Sequence, residues 1–228
     1  GLGDVYKRQV GINHNLSPLD PEYVIQLLSD DGPLRHQFPR YEPRPEQITM
    51  ARNIAESLNS FLPPIGEPHQ LVLEGGTGIG KSIAYLLPSK IFALENDTKI
   101  VISTSTIGLQ EQLIQKDIPD LLKALAGQPN IDTARLKYAS MKGKSNYLCV
   151  RRWEQLSNNE SLSIEEAITL AKTLTWMQVT STGDRSEIAS NRLQAQTWDQ
   201  ISASNFSRCT GARDGACFYR LAREEAAA

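Results

Sequence analysis

Along this chain apolar residues alternate between two patterns, a recurrence every three to four positions and short unbroken runs. Ile48, Ala51, Ile54, Ala55 and Leu58 follow the first pattern, and Pro45 suits a first helical turn, so an amphipathic helix is predicted from about Pro45. Pro63, Pro64 and Gly66 end it. Gln70-Leu71-Val72-Leu73-Glu74 reads as a short strand, followed by a glycine-rich turn and a helix from Lys81 to about Leu94. Lys99 to Ser103 reads as a second strand, a long helix follows from about Gly108 to Ala126, and Arg135 to Ala139 is a third strand candidate. Strands alternating with helices predict βαβ units and a parallel sheet, an α/β fold.

The pattern changes at Asn146. Helical stretches are predicted at Tyr147 to Gln155 and Ile164 to Val179, then a Ser/Thr/Asn-rich region leads to a basic helical tail around Phe218 to Glu225. With no strand pattern there, residues 146–228 read as a mostly helical insertion that carries all three cysteines. At the other end, Pro18, Pro21, Gly32 and Pro33 surround one short helical pattern, Glu22 to Ser29, so residues 1–40 read as a lead-in and 41–145 as the main domain. Gly1 to Gln9 has no initiator Met and resembles translated library adapter, so it is read as non-native. The far end stops inside a helix-forming run, and a longer gene is expected.

Composition narrows the function. The 228 residues hold one domain plus an insertion, and 24 Lys+Arg against 26 Asp+Glu exclude a polybasic binder, so any nucleic-acid contact must be local. Three cysteines with no secretion signal argue for a reducing compartment, the cytoplasm. Apolar stretches such as Ile83 to Leu94 are interrupted by Pro88 and Lys90 and fall short of a membrane span.

The strongest chemical signal is Gly75-Gly76-Thr77-Gly78-Ile79-Gly80-Lys81-Ser82, which matches G-x4-G-K-[ST] between a predicted strand and a predicted helix. Its glycines let backbone N–H groups converge on phosphates at a helix N-terminus, where the dipole favours negative charge. Lys81 adds a point charge, Ser82 suits Mg2+ through its hydroxyl, and Thr77 lies where it can approach a γ-phosphate. The expected ligands are ATP and Mg2+.

These residues, with three further phrases in order, resemble the DinG/XPD type of superfamily 2 DNA helicase. Glu74 to Ser82 is similar to that family's first helicase motif, and Tyr41-Glu42-Pro43-Arg44-Pro45-Glu46-Gln47 to its upstream adenine-reading segment. Ser103 to Leu113 is similar to the DNA-contacting motif Ia, and Lys142-Gly143-Lys144-Ser145-Asn146-Tyr147-Leu148-Cys149 to the phrase that opens an iron-sulfur domain. The resemblance implies a RecA-like P-loop domain and an intact protein that unwinds DNA by moving 5′ to 3′ on a single strand.

The residues admit that reading. Gln47 can donate and accept through one amide, matching an adenine edge, although solvation on a helix surface is the plainer role; Tyr41 and Arg44 belong to the same phrase. Thr104, Thr106 and Gln110 suit phosphate-backbone contacts, and a helix N-cap at Ser105 or Thr106 is compatible with that. Lys137, Lys142, Lys144, Arg151 and Arg152 concentrate charge around Tyr147 and Trp153, a mixture suited to single-stranded DNA; the plainer alternative is a solvated basic face with Trp153 in a core.

The resemblance also implies a 4Fe-4S cluster on four cysteines, but only Cys149, Cys209 and Cys217 are present. Asp214, the acidic group between the later pair, is the candidate fourth ligand, with water or hydroxide as the alternative; three ordinary buried thiols are the plainer reading. Asp30-Asp31, Glu165-Glu166 and Glu224-Glu225 all sit in loop or helix contexts, so the hydrolytic carboxylates are expected downstream and this stretch alone is expected to bind ATP without turnover. A monomer is expected. Two other classes stay open: a P-loop ATPase that does not act on nucleic acid, and a non-enzymatic iron-sulfur DNA-binding module.

Overall fold

The computed structural model describes residues 16–38, 40–60, 70–188, 194–205 and 217–227. The chain divides into two compact units, Gly1–Lys137 and Tyr138–Ala228.

In the first unit the helices are α1 (Pro21–Leu28), α2 (Pro33–Gln37), α3 (Pro45–Ser60), α4 (Lys81–Asn96), α5 (Ile107–Gln112) and α6 (Ile118–Leu125). Asp20 caps α1 by accepting from Glu22 N at 2.9 Å, with Pro21 at the first helical position. α3 packs on α4 and α1, and α2 on α6. Met50, Ala51 and Ala55 of α3 meet Ala84, Leu87 and Ile91 of α4 in a core that also takes Leu19, Val24, Leu28 and Leu34. The lead-in is thus part of this core. Its backbone is held by two asparagine amides: Asn59 bonds both N and O of Leu19 at 2.7 and 2.8 Å, and Asn96 bonds both N and O of Ser17.

α5 runs into α6 through a π-helical turn, Leu113–Asp117. Pro119 explains the irregularity. A proline lacks the N–H of the ladder and its ring crowds the carbonyl four residues back, so a wider turn ahead of it keeps the helix going.

The parallel sheet expected from the sequence is not formed: among the described residues there is no strand, so the α/β assignment is corrected to a helical one. Residues 70–76 and 98–104 are irregular, and the third strand candidate begins in a 3-10 turn, Thr133–Arg135. Parallel strands need ladder hydrogen bonds to neighbours and burial on both faces. Here Val72 and Val101 are each 91% exposed. Their β-branched composition is a preference for a pleated, packed surface, and without a partner to supply that surface no strand forms.

The second unit comprises α7 (Val150–Ser157), α8 (Ile164–Met177), α9 (Ala195–Ile201) and α10 (Phe218–Ala227). Three consecutive residues organise it: Tyr147 bridges Asp184, Leu148 bridges Ser202 and Cys149 bridges Cys217, each antiparallel. Leu148, Leu170, Trp176, Trp198 and Ile201 form the core, with the rings of Trp176 and Trp198 6.4 Å apart. Trp198 donates its indole N–H to Ser145 O at 2.7 Å. Ser163 and Glu166 close a capping box on α8, which is why an acidic pair opens that helix. No helix among the described residues is long and apolar enough to cross a membrane.

Candidate functional site

Residues 75–82 wrap onto the N-terminus of the 16-residue helix α4. Gly78 and Gly80 both have φ +83°, a backbone region costly to any residue with a Cβ. Gly80 is the N-cap and offers no side chain, so the first N–H groups of α4 keep their capacity for an external acceptor. Gly76, Thr77, Gly78 and Lys81 are exposed, and Ser82 lies half-buried in the first turn. Lys81 Nζ folds back to donate to Gly75 O at 3.0 Å and Gly76 O at 2.7 Å. An ammonium held on two loop carbonyls, above dipole-aligned N–H groups, is an arrangement that can accept a polyanion.

The inner side of the loop is made by the Tyr41–Gln47 phrase. Gln47 is 2% exposed; its Nε2 donates to Gly80 O at 3.1 Å, and its Oε1 lies 3.0 Å from Tyr41 Oη. Tyr41 Oη is also 2.9 Å from Leu28 O, so its one proton serves two acceptors in turn. Burial, with a smaller contribution from Asp30, pushes the Tyr41 pKa up to about 12 and keeps it a donor. Arg44 is exposed beside the loop: a methyl built on Gly78 would sit 3.8 Å from its Nη1. Ile79 packs against the core behind.

Thr106 is the N-cap of α5, accepting from Leu109 N at 3.3 Å, and Thr104 Oγ1 donates to Thr106 O at 3.0 Å. Gln110 lies half-buried on the first turns of α5. These hydroxyls serve the local backbone.

In the second unit the two candidate lysines separate. Lys142 is buried, with Nζ 2.7 Å from Asp184 Oδ2 and 2.9 Å from Ser186 Oγ, so its charge is neutralised inside the fold and it has no free face for a phosphate. Lys144 is exposed and stands over the Tyr219 ring, 5.5 Å from its centroid. Tyr219 in turn meets Tyr147 at 5.7 Å, a partner that sequence reading missed because α10 brings it from 72 residues away. Trp153 donates to Thr173 Oγ1 at 2.8 Å and packs on the core, and Arg152 donates to Ser202 O at 2.7 Å.

Cys149 and Cys217 are free, half-buried and paired across an antiparallel bridge, a relationship that sets Cα atoms roughly 4.5–5.5 Å apart. Cys209 and Asp214 lie outside the described residues. Among the described residues no group of three or more His, Cys, Asp or Glu could hold a metal.

Comparison with known proteins extends this picture. The chain is 34% identical over 202 residues to the ATP-dependent DNA helicase YoaA of Escherichia coli, covering 86% of this chain and 28% of that protein. It is 34% identical over 172 residues to the ATP-dependent helicase DinG of Mycobacterium tuberculosis, covering 67% of this chain and 25% of the relative. It is 32% identical over 168 residues to a Bacillus subtilis protein named 3'-5' exonuclease DinG, covering 74% of this chain and 16% of that one. No known family model matches. Two of these relatives are named ATP-dependent helicases and one an exonuclease, and the chain belongs to the DinG/YoaA family. It spans between 16% and 28% of the length of these relatives.

Proposed function

We propose that this chain is the ATP-binding part of an ATP-dependent DNA helicase. The observation that carries the reading is the glycine loop on the N-terminus of α4 with Lys81 held above it. Loop N–H groups and Lys81 hold the β- and γ-phosphates, Ser82 holds Mg2+, and Thr77 approaches the γ-phosphate. Water activation requires the strand-borne carboxylates of a hydrolytic motif, and the acidic pairs here stand elsewhere: Asp30 and Asp31 lie in the turn after α1, while Glu165-Glu166 and Glu224-Glu225 lie on helices, Glu166 closing its capping box. Binding without turnover is the behaviour expected of these residues.

The nucleic-acid partner is single-stranded DNA, engaged by a monomer moving 5′ to 3′. In the first unit Thr106 keeps its hydroxyl proton for a phosphate while it caps α5, Gln110 adds an amide, and Thr104 joins them only by turning its hydroxyl from Thr106 O; in the second unit Lys144 beside Tyr219 offers charge next to an aromatic face. Lys142 is left out because its charge is committed to Asp184. A 4Fe-4S cluster fits the second unit only in part: the bridged Cys149 and Cys217 are two thiols close enough to share one group, and Cys209 with Asp214 would complete the set. When bound, such a cluster would tie the start of α10 to the start of α7 through thiolates.

Binding of a fluorescent single strand and of the matching duplex, each with and without Mg-ATP, tests the partner. Single-strand preference that responds to nucleotide is expected. Absence of DNA binding would favour an ATPase with another partner, and DNA binding indifferent to nucleotide would favour a non-enzymatic module.

A further inference from the structure

The carbonyl of Gly80 is used twice. It accepts Ala84 N at 3.1 Å, opening the hydrogen-bond ladder of α4, and it accepts Gln47 Nε2 at 3.1 Å from the side. Both lone pairs are thereby engaged, and the plane of the Gly80–Lys81 peptide has no freedom to turn. In a trans peptide the C=O and the following N–H point in opposite directions. Holding Gly80 C=O against Gln47 and the helix therefore aims Lys81 N–H outward, toward the exposed mouth of the loop.

Gln47 is itself held. Tyr41 Oη lies 3.0 Å from Oε1, which fixes the amide with oxygen toward Tyr41 and nitrogen toward Gly80. The fit is tight: a methyl on Gly80 would come within 2.1 Å of Gln47 Nε2. At 2% exposure, the amide has no open face on which a purine could lie.

We propose that Gln47 and Tyr41 are positioning residues for a polyphosphate, fixing the loop's Lys81 N–H through Gly80, and that they act on the phosphate chain whatever base it carries. This rests on the reading of residues 75–82 as a phosphate loop. It differs from the adenine-reading role inferred for Gln47 from its donor and acceptor pattern, because each end of the amide has a partner within the protein and the residue is buried.

The test uses the 228-residue chain and three probes with Mg2+: ATP, GTP and inorganic tripolyphosphate, which has no base. Gln47→Met keeps the length and removes the amide; Tyr41→Phe keeps the ring and frees the amide to turn. A lost hydrogen bond to a positioned group corresponds to roughly a 5- to 10-fold weakening. Gln47→Met is expected to weaken all three probes by that common factor, Tyr41→Phe by a smaller common factor, with the ATP to GTP ratio unchanged in both. Leu121→Ala, a core change in α6, is expected to lower thermal stability and leave all three affinities as they are, which separates positioning from general loosening. If Gln47→Met or, where that variant fails to fold, Tyr41→Phe erases the ATP to GTP preference while tripolyphosphate binds as before, the residues read the base and the proposal is overturned. Unaltered affinity for all three probes in Tyr41→Phe overturns it as well. Lys81→Ala separates this from its premise: tripolyphosphate binding that survives Lys81→Ala refutes the phosphate loop itself.

Discussion

Lys142 Nζ sits 2.7 Å from Asp184 Oδ2, with side chains only 4% and 14% exposed, so a charge that the sequence offers to DNA is buried in an ion pair. The pair ties the segment before Tyr147 to the one bridged to it, and Tyr147 Oη accepts from Lys142 N at 2.9 Å in the same place. Removing one member leaves the other charge unpaired and largely shielded from water. Lys142→Ala is expected to cost about 3 kcal/mol or more of unfolding free energy, and Lys142→Met with Asp184→Leu much less, because apolar replacement of both removes the desolvation penalty. Urea unfolding of the single and double variants measures it.

Lys144 carries the opposite expectation. It is exposed over Tyr219, so Lys144→Ala leaves stability nearly unchanged and removes one cation from a strand's path. The slope of log affinity for single-stranded DNA against log salt should fall by about 0.7, the value for one phosphate contact. A slope that stays the same would place the DNA path elsewhere.

Two glycines of the loop should respond oppositely to an added methyl. At Gly80 it meets φ +83° and Gln47 Nε2 at 2.1 Å, whereas at Gly76 it meets nothing within 4 Å. Gly80→Ala should cost upward of about 1–2 kcal/mol from the backbone alone, and more from the displaced amide, while Gly76→Ala costs little. Thermal unfolding of the two variants side by side checks this.

The bridged cysteines give a metal prediction. Anaerobic reconstitution followed by iron and sulfide counting should load the unaltered chain and fail in Cys149→Ser, Cys217→Ser and Cys209→Ser. Iron lost in Cys209→Ser but kept in Asp214→Ala would leave the cluster standing and refute only the carboxylate as its fourth ligand; with Asp214 in that place the unaltered cluster should be oxygen-labile, because a carboxylate is a harder donor than thiolate. Full retention of iron in Cys217→Ser would return the pair to packing.

What the sequence revealed divides by the range of the interactions. Helices α3, α4 and α8 were legible because their own periodicity, Pro45 and the Ser163–Glu166 box specify them locally. α2 is too short to show a period, and α9 hides in a polar stretch whose apolar side declares itself only when Trp198 packs on Trp176. The runs 70–74 and 99–103 look like strands by composition, but a strand is completed by a partner, and among the described residues none pairs with them. The glycine loop was legible as a motif, while the burial of Gln47 and Lys142 was not: Gly80 lies 33 residues from Gln47 and Ser186 44 residues from Lys142. Such pairings belong to the fold.

Calorimetric titration of the unaltered chain and of Lys81→Ala with Mg-ATP tests the central claim most directly. The unaltered chain should bind with measurable heat and little hydrolysis, and Lys81→Ala should lose tenfold or more, about 1.4 kcal/mol, because the ammonium that the loop holds on Gly75 and Gly76 is gone. Equal affinity in the two proteins would contradict a phosphate-binding role for residues 75–82.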